Sequence, residues 1–243
     1  SFALFGLGGL CLRLVVFPLL SCLPGDAATH RLRARRTVSG CFWFFIRFMA
    51  RAGVLTYDIQ GAEKLGKPGQ MIVANHPSLI DVVFLIGLVR HANCVVKQSL
   101  WDNPFTRAPL RRTEYISNDG SMDMLDAAAD ALKSGQTLII FPEGTRTQPG
   151  EAPAFHRGGA AIALRGARIL TPVVIKVSPT TLTKAEPWYR IPKRRVHFSF
   201  RVGADIDPQA FAELGPAPQA SRKLNDYLHS YFIKELAEDE RSE

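Results

Sequence analysis

Cysteine is scarce in this 243-residue chain and badly placed for cross-linking. The four thiols, Cys11, Cys22, Cys41 and Cys94, include no Cys-x-x-Cys pair, and three of them lie in an apolar N-terminal region. That spacing argues against a disulfide framework or a thiolate zinc site, and the thiols read as small hydrophobes in a reducing compartment. No His/Cys/Asp/Glu cluster has ligand spacing, so no metal is expected, and no Gly-rich phosphate loop is present. Internal repeats and low-complexity segments are also missing, which leaves no case for a solenoid or a disordered chain. Negative charge is nearly absent from the first quarter. Residues 1–57 hold seven arginines (13, 31, 33, 35, 36, 47 and 51) against the single acid Asp26, so +6 of the total net charge of +8 sits there.

A basic segment suits either nucleic acid or an anionic membrane surface. Its neighbours favour the membrane. Residues 2–23 are almost wholly apolar, and Cys41-Phe42-Trp43-Phe44-Phe45-Ile46 is a dense aromatic patch followed by Arg47, Met49 and Arg51. Nucleic-acid readers rarely carry a run of about 20 apolar residues, the length that fits a bilayer helix, so no nucleic-acid partner is expected. Arg13 in mid-run argues against a simple span, since a charge at the bilayer centre costs roughly 3 kcal/mol or more. Two helices that dip into one leaflet or lie at the interface, with arginines reaching up to phosphates, are the expectation. A core helix of a soluble protein remains the alternative. No small-x-small cleavage site is clear, so a cleaved leader is not expected.

With 47% hydrophobic and 21% charged residues the remainder is globular. A boundary near residue 56 divides the N-terminal membrane-associating helices (1–56) from one α/β domain (57–243). Short apolar runs mark strands at about 71–74, 94–97, 137–141, 169–177 (carrying Pro172) and 196–202. Between them, helices are expected at 79–89, 121–134, 158–165 and 221–236, with Gly135 stopping the second. Strands alternating with helices predict an α/β fold, a mixed and largely parallel sheet flanked by helices.

Two segments carry the chemistry. Asn75-His76-Pro77-Ser78-Leu79-Ile80-Asp81 follows the strand at 71–74, and Phe141-Pro142-Glu143-Gly144-Thr145-Arg146 follows the strand at 137–141. Both stand where α/β proteins usually keep their sites, beyond the carboxyl ends of strands. His76 can accept an alcohol proton at neutral pH. Asp81, one turn into the next helix, can fix its tautomer and steady the imidazolium, giving the base-and-orienter half of a triad with a substrate hydroxyl in place of an enzyme serine. The second segment offers a tight turn, free backbone N–H groups, a carboxylate and a guanidinium suited to an anionic substrate. The plainer alternatives are a satisfied structural histidine, and a turn in which Glu143 and Arg146 pair with each other.

In these residues the chain resembles the glycerolipid acyltransferases of the lysophosphatidic acid type. Their first motif is Asn-His-x-x-x-x-Asp and their third Phe-Pro-Glu-Gly-Thr-Arg. Phe155-His156-Arg157-Gly158-Gly159 is similar to the basic segment after the third motif. Ile169-Leu170-Thr171-Pro172-Val173-Val174-Ile175 resembles the fourth. The likeness covers about residues 55–205. It implies transfer of a fatty acyl group from acyl-CoA or acyl carrier protein to a hydroxyl of a lysophosphatidic-acid-like lipid, at the cytoplasmic face of an inner membrane. No cofactor beyond the thioester co-substrate is implied. His76 and Asp81 would be catalytic, while Asn75, Lys97, Glu143, Gly144, Thr145, Arg146 and Pro172 would bind substrate. One motif departs: the second ends Tyr115-Ile116-Ser117-Asn118, with asparagine where the family usually has an arginine. Arg111 and Arg112, just upstream, could supply the charge or form a solvated face. That departure admits a second reading, the same chemistry on a non-glycerophosphate acceptor of a specialised pathway. A non-catalytic lipid-binding protein is a third reading, and a thioesterase or lipase using Ser78 a fourth.

Overall fold

A computed structural model describes residues 2–102, 106–148, 150–184, 190 and 192–240. Its centre is a seven-stranded sheet built from β1 (Leu55–Gln60), β2 (Gln70–Ala74), β3 (Asn93–Lys97), β4 (Ile116–Asn118), β5 (Leu138–Ile140), β6 (Ile169–Ser178) and β7 (Val196–Val202). The order is β1-β7-β6-β2-β5-β3-β4. Neighbours run parallel except β6 and β7, which are antiparallel. The mixed, largely parallel sheet expected from the sequence is therefore present.

Side-chain alternation along the strands separates two cores, because successive residues point to opposite faces. Met71, Val73, Leu138, Ile140, Leu170 and Val174 meet helices α6 (Met122–Lys133), α7 (Gly158–Gly166) and α9 (Ala217–Glu240). The alternate residues Ile72, Ala74, Ile139, Val173 and Ile175 face α3 (Ala27–Arg51) and α4 (Asp81–Leu88). Burial on both faces is why β2 and β5 read as unbroken apolar runs. The remaining helices are the apolar pair α1 (Phe2–Cys11) and α2 (Phe17–Ser21), the short α5 (Arg107–Thr113) and α8 (Gln209–Ala212).

The N-terminal segment is one apolar rod with a defect. Pro18 has no N–H to bond the carbonyl four residues back. Just before it the chain widens into a π turn over Leu12–Val16, with the Phe17 N–H reaching Leu12 O. Residues Ala3–Ser21 are long and apolar enough to cross a membrane, with a mean hydropathy of 2.1 and only 11% of the stretch buried. Leu12 and Phe17 turn inward, and Phe5 stacks on Phe42 and meets Phe45 of α3 at a tilt, with centroids 5.9 and 5.3 Å apart.

Asp26 caps α3 by accepting from Thr29 N at 2.8 Å. The inner face of α3 (Val38, Ile46, Met49) packs on α4, where Gly87 lets the helices approach: a Cβ there would lie 3.3 Å from Trp43 N. Its outer face leaves Phe44 and Phe48 exposed beside Arg47 and Arg51.

Arg35 alters the reading of the basic segment. The sequence grouped it with arginines free to reach a membrane, yet it is 2% exposed. Its Nε donates to Thr113 O at 2.9 Å and its Nη1 to Gln136 Oε1 at 2.8 Å, with longer contacts to the carbonyls of His91 and Glu114. Burial lowers its pKa to about 10, which still leaves it cationic at neutral pH. Arg31 is also engaged, to Glu114 at 2.9 Å. The exposed basic surface of this segment is therefore smaller than the sequence implied.

Candidate active site

Parallel strands β2, β5 and β6 release their next residues at one edge of the sheet, and both sequence motifs meet there. His76 lies two residues past β2, and Asp81 is the first residue of α4. The imidazole Nδ1 lies 3.1 Å from Asp81 Oδ2, which also accepts the Ser78 backbone N–H at 2.6 Å. A carboxylate oxygen only accepts, so Nδ1 carries the hydrogen and Nε2 is the basic nitrogen. The His76 ring stacks on Phe141 with centroids 4.3 Å apart. Asp81 is fully buried, and desolvation raises its pKa, opposed by its bonds to His76 and Ser78 and by the charge of Arg146. The carboxylate is thus held next to the imidazole, where it stabilises a positive ring most strongly.

Glu143 and Arg146 do not pair. Glu143 Oε1 accepts the His76 backbone N–H at 2.8 Å and Oε2 accepts the Thr147 hydroxyl at 2.7 Å. Thr147 N closes the loop on His76 O at 2.8 Å. Burial raises the Glu143 pKa as well. Arg146 Nη1 donates to the carbonyls of Leu182 and Thr183 at 2.7 and 3.0 Å, tying down the segment after β6, and Leu79 N reaches the same Leu182 carbonyl. These contacts are internal to the fold: Glu143 holds the loop that carries His76, and Arg146 holds the segment beside it. Thr147 is the member of this network that the motif reading missed. A hydroxyl four residues after Glu143 was the available signal.

Asn75 was expected at the substrate. It is 3% exposed, and its side-chain amide brackets the Ile175 peptide, donating to Ile175 O at 2.8 Å and accepting Ile175 N at 2.7 Å. The amide imitates one more peptide of β2 and extends the ladder to β6 as β2 ends. Pro172 lies inside the sheet in register with Val73, where its carbonyl accepts Gly203 N at 2.9 Å. It occupies the end of the β6–β7 ladder, where a missing N–H is tolerated, and is not brought to His76. Ser78 Oγ is buried with no hydrogen-bond partner, a poor setting for a nucleophile.

The open side of the site is formed by Gly144, Thr145, Asn118, His156 and Lys97. Gly144 holds φ +63, and its N–H donates to Phe141 O at 3.1 Å, so that N–H closes the turn. A Cβ on Gly144 would lie 3.6 Å from His156 Cδ2 and 4.0 Å from Asn118 Nδ2. Lys97, exposed, is the register partner of Asn118 at the ends of β3 and β4. Arg111 and Arg112 end α5, ahead of β4, at the opposite edge of the sheet. They do not fill the position of Asn118.

A family model described as Acyltransferase matches residues 56–176, a span that holds both motifs. A 1-acyl-sn-glycerol-3-phosphate acyltransferase of Helicobacter pylori is 32% identical over 180 residues, 70% of this chain and 74% of that protein. The chain belongs to the acyltransferase family. A Pseudomonas aeruginosa acyltransferase of the same name is 27% identical over 229 residues, 92% of this chain and 85% of the relative. The crystal structure of the 1-acyl-sn-glycerophosphate acyltransferase of Thermotoga maritima shares the fold. Its TM-score is 0.67 at 21% identity, covering 98% of this chain and 95% of that one. The chain is thus an acyltransferase of lipid biosynthesis, and its fold agrees with the expectation from the sequence.

Proposed function

We propose that this acyltransferase works at a membrane and moves a fatty acyl group from acyl-CoA or acyl carrier protein to a hydroxyl of a lysophosphatidic-acid-like lipid. The carrying observation is the His76–Asp81 pair, 3.1 Å apart, on the loop tied to Glu143. His76 Nε2 takes the acceptor hydroxyl proton as the oxygen attacks the thioester carbonyl. The tetrahedral intermediate then expels the thiolate, which receives the proton from the imidazolium. With the Gly144 N–H used in its own turn, the neighbouring N–H groups of Thr145 and Arg146 are the better candidates for the oxyanion. Lys97, Thr145 and His156 line the entrance for the acceptor head. Only proton transfer and a thioester co-substrate are required, so the reading includes no metal or other cofactor. The apolar rod over Ala3–Ser21 and the exposed Phe44 and Phe48 support association with the bilayer, on the cytoplasmic face where thioester donors are made.

Thiol release from a long-chain acyl-CoA in detergent micelles, with and without lysophosphatidic acid, tests this. Release by the wild type should depend on the acceptor. His76→Ala should lower it by about 10²–10⁴-fold, the usual contribution of a general base. Ser78→Ala should stay near wild type, since its hydroxyl bonds to nothing. Equal loss in both variants would favour a serine hydrolase instead.

One observation favours the second reading of the acceptor: beside Gly144, next to His156, stands the neutral amide of Asn118. If the natural acceptor lacks a phosphate, Asn118→Arg should raise the KM for it. The same change should lower the KM for lysophosphatidic acid by about tenfold, the worth of one charge-assisted contact. No change with either acceptor would remove Asn118 from the acceptor site.

A further inference from the structure

A cavity of about 270 Å³ lies between α2, α3 and α5, at the sheet edge opposite His76. Its floor is apolar, with Phe17 and Ala34 each 3% exposed and Leu20 beside them. Its rim is basic: His30, Arg31, Arg111 and Arg112, against the single acid Glu114. Arg31 neutralises that acid through its 2.9 Å ion pair. No carboxylate pairs with Arg111 or Arg112 among the described residues, so two guanidinium groups at this mouth lack a counter-charge. Phe17 and Leu20 of the floor belong to the apolar stretch Ala3–Ser21, whose next residues in the chain include the exposed Leu23.

An apolar floor, an unpaired cationic rim and continuity with a membrane-facing helix together select an amphiphile with an anionic head. We propose that this cavity seats the phosphate head group of an anionic bilayer lipid, one that anchors the enzyme and is not its substrate. The volume is at the low end for a ligand pocket, about 300 Å³ upward, so it holds a head group and its first carbons while the tails stay in the bilayer. Arg111 and Arg112 bind the phosphate, Phe17 and Leu20 meet the glycerol carbons, and the opposite sheet edge is left free for the reaction. The inference rests on the membrane association proposed above.

Flotation with vesicles of phosphatidylcholine alone, and of phosphatidylcholine doped with phosphatidylglycerol, tests it on the full chain. Wild type should float with both and partition more strongly onto the anionic vesicles. Arg111→Gln/Arg112→Gln should lose that preference, with a fall of about 30-fold on anionic vesicles and none on neutral ones. Ala27→Trp fills the mouth without changing charge and should lose the preference as well. Arg222→Gln/Lys223→Gln removes the same charge from exposed positions of α9 and should keep it. Equal losses in the two charge variants, or an unaffected Ala27→Trp, would mean diffuse attraction and overturn the site while leaving membrane association intact. Failure of wild type to float with either vesicle would overturn both.

Discussion

Replacing Asp81 by asparagine is expected to abolish most acyl transfer while leaving the fold in place. Asp81 Oδ2 faces two donors, Ser78 N at 2.6 Å and His76 Nδ1 at 3.1 Å. The asparagine therefore turns its carbonyl to both, because the reverse orientation would set NH2 against the Ser78 N–H. The His76 tautomer survives and the negative charge does not. What is lost is stabilisation of the imidazolium formed as the hydroxyl gives up its proton, an interaction strongest in the transition state. The rate constant kcat should fall by roughly 10²–10⁴-fold with KM little changed. A KM effect equal to the kcat effect would place Asp81 in binding instead. Stability should respond in a linked way. Desolvation raises the Asp81 pKa in the folded state. The carboxyl therefore adds no penalty below the ordinary carboxylate range, where both states hold the proton, and wild type loses stability as pH rises through the raised value. The difference in Tm between variant and wild type should move in the variant's favour from acid to neutral pH. A flat difference would show that the buried carboxyl titrates as in water.

Arg35→Ala should produce the largest loss of stability. Arg35 joins three places that the chain brings together only by folding: the end of α5 at Thr113 and Glu114, the turn at His91, and Gln136 ahead of β5. Its cation lies against carbonyls at the C-terminal end of α5, where positive charge is favoured. Truncation leaves these acceptors buried without donors and opens a space beneath Tyr115, whose ring centroid is 6.0 Å from the guanidinium. The expected cost is about 3–5 kcal/mol, which lowers Tm by about 10 °C in a chain of this size. Arg35→Lys should recover little, because one ammonium cannot reach carbonyls that a planar fork spans. A Tm close to wild type in Arg35→Ala would mean that water satisfies these carbonyls.

The elements that were legible in the sequence are those whose cause is local. The strands at 70–74, 169–178 and 196–202 and the helices at 122–133 and 158–166 follow from apolar period, from caps such as Ser121 and from Gly135. The rod and α3 followed from a long apolar run and an aromatic patch. The three-residue β4 and the seven-residue α5 were not visible, because elements that short have no period of their own and exist by pairing or packing. His76 and Asp81 were legible as a pair because five positions across a helix start fix their separation almost by themselves.

Partnership between distant residues was decided elsewhere. For Asn75, Glu143 and Arg146 the motif carried no mark of where the polar side chains' hydrogen bonds end. Parallel pairing of β2 with β5 and β6 brings residue 76 to 143 and residue 75 to 175, and those bonds then go to the backbone. Arg35 and Arg111 are alike as letters. One is enclosed by carbonyls and the other stands at an open cavity, a difference set by which face of its helix the sheet covers. Sequence determined the chemistry available to this protein, because reactivity belongs to residue types at close spacing. Tertiary structure alone decided which of those groups stay free to use it, because burial and partners are properties of the packed chain.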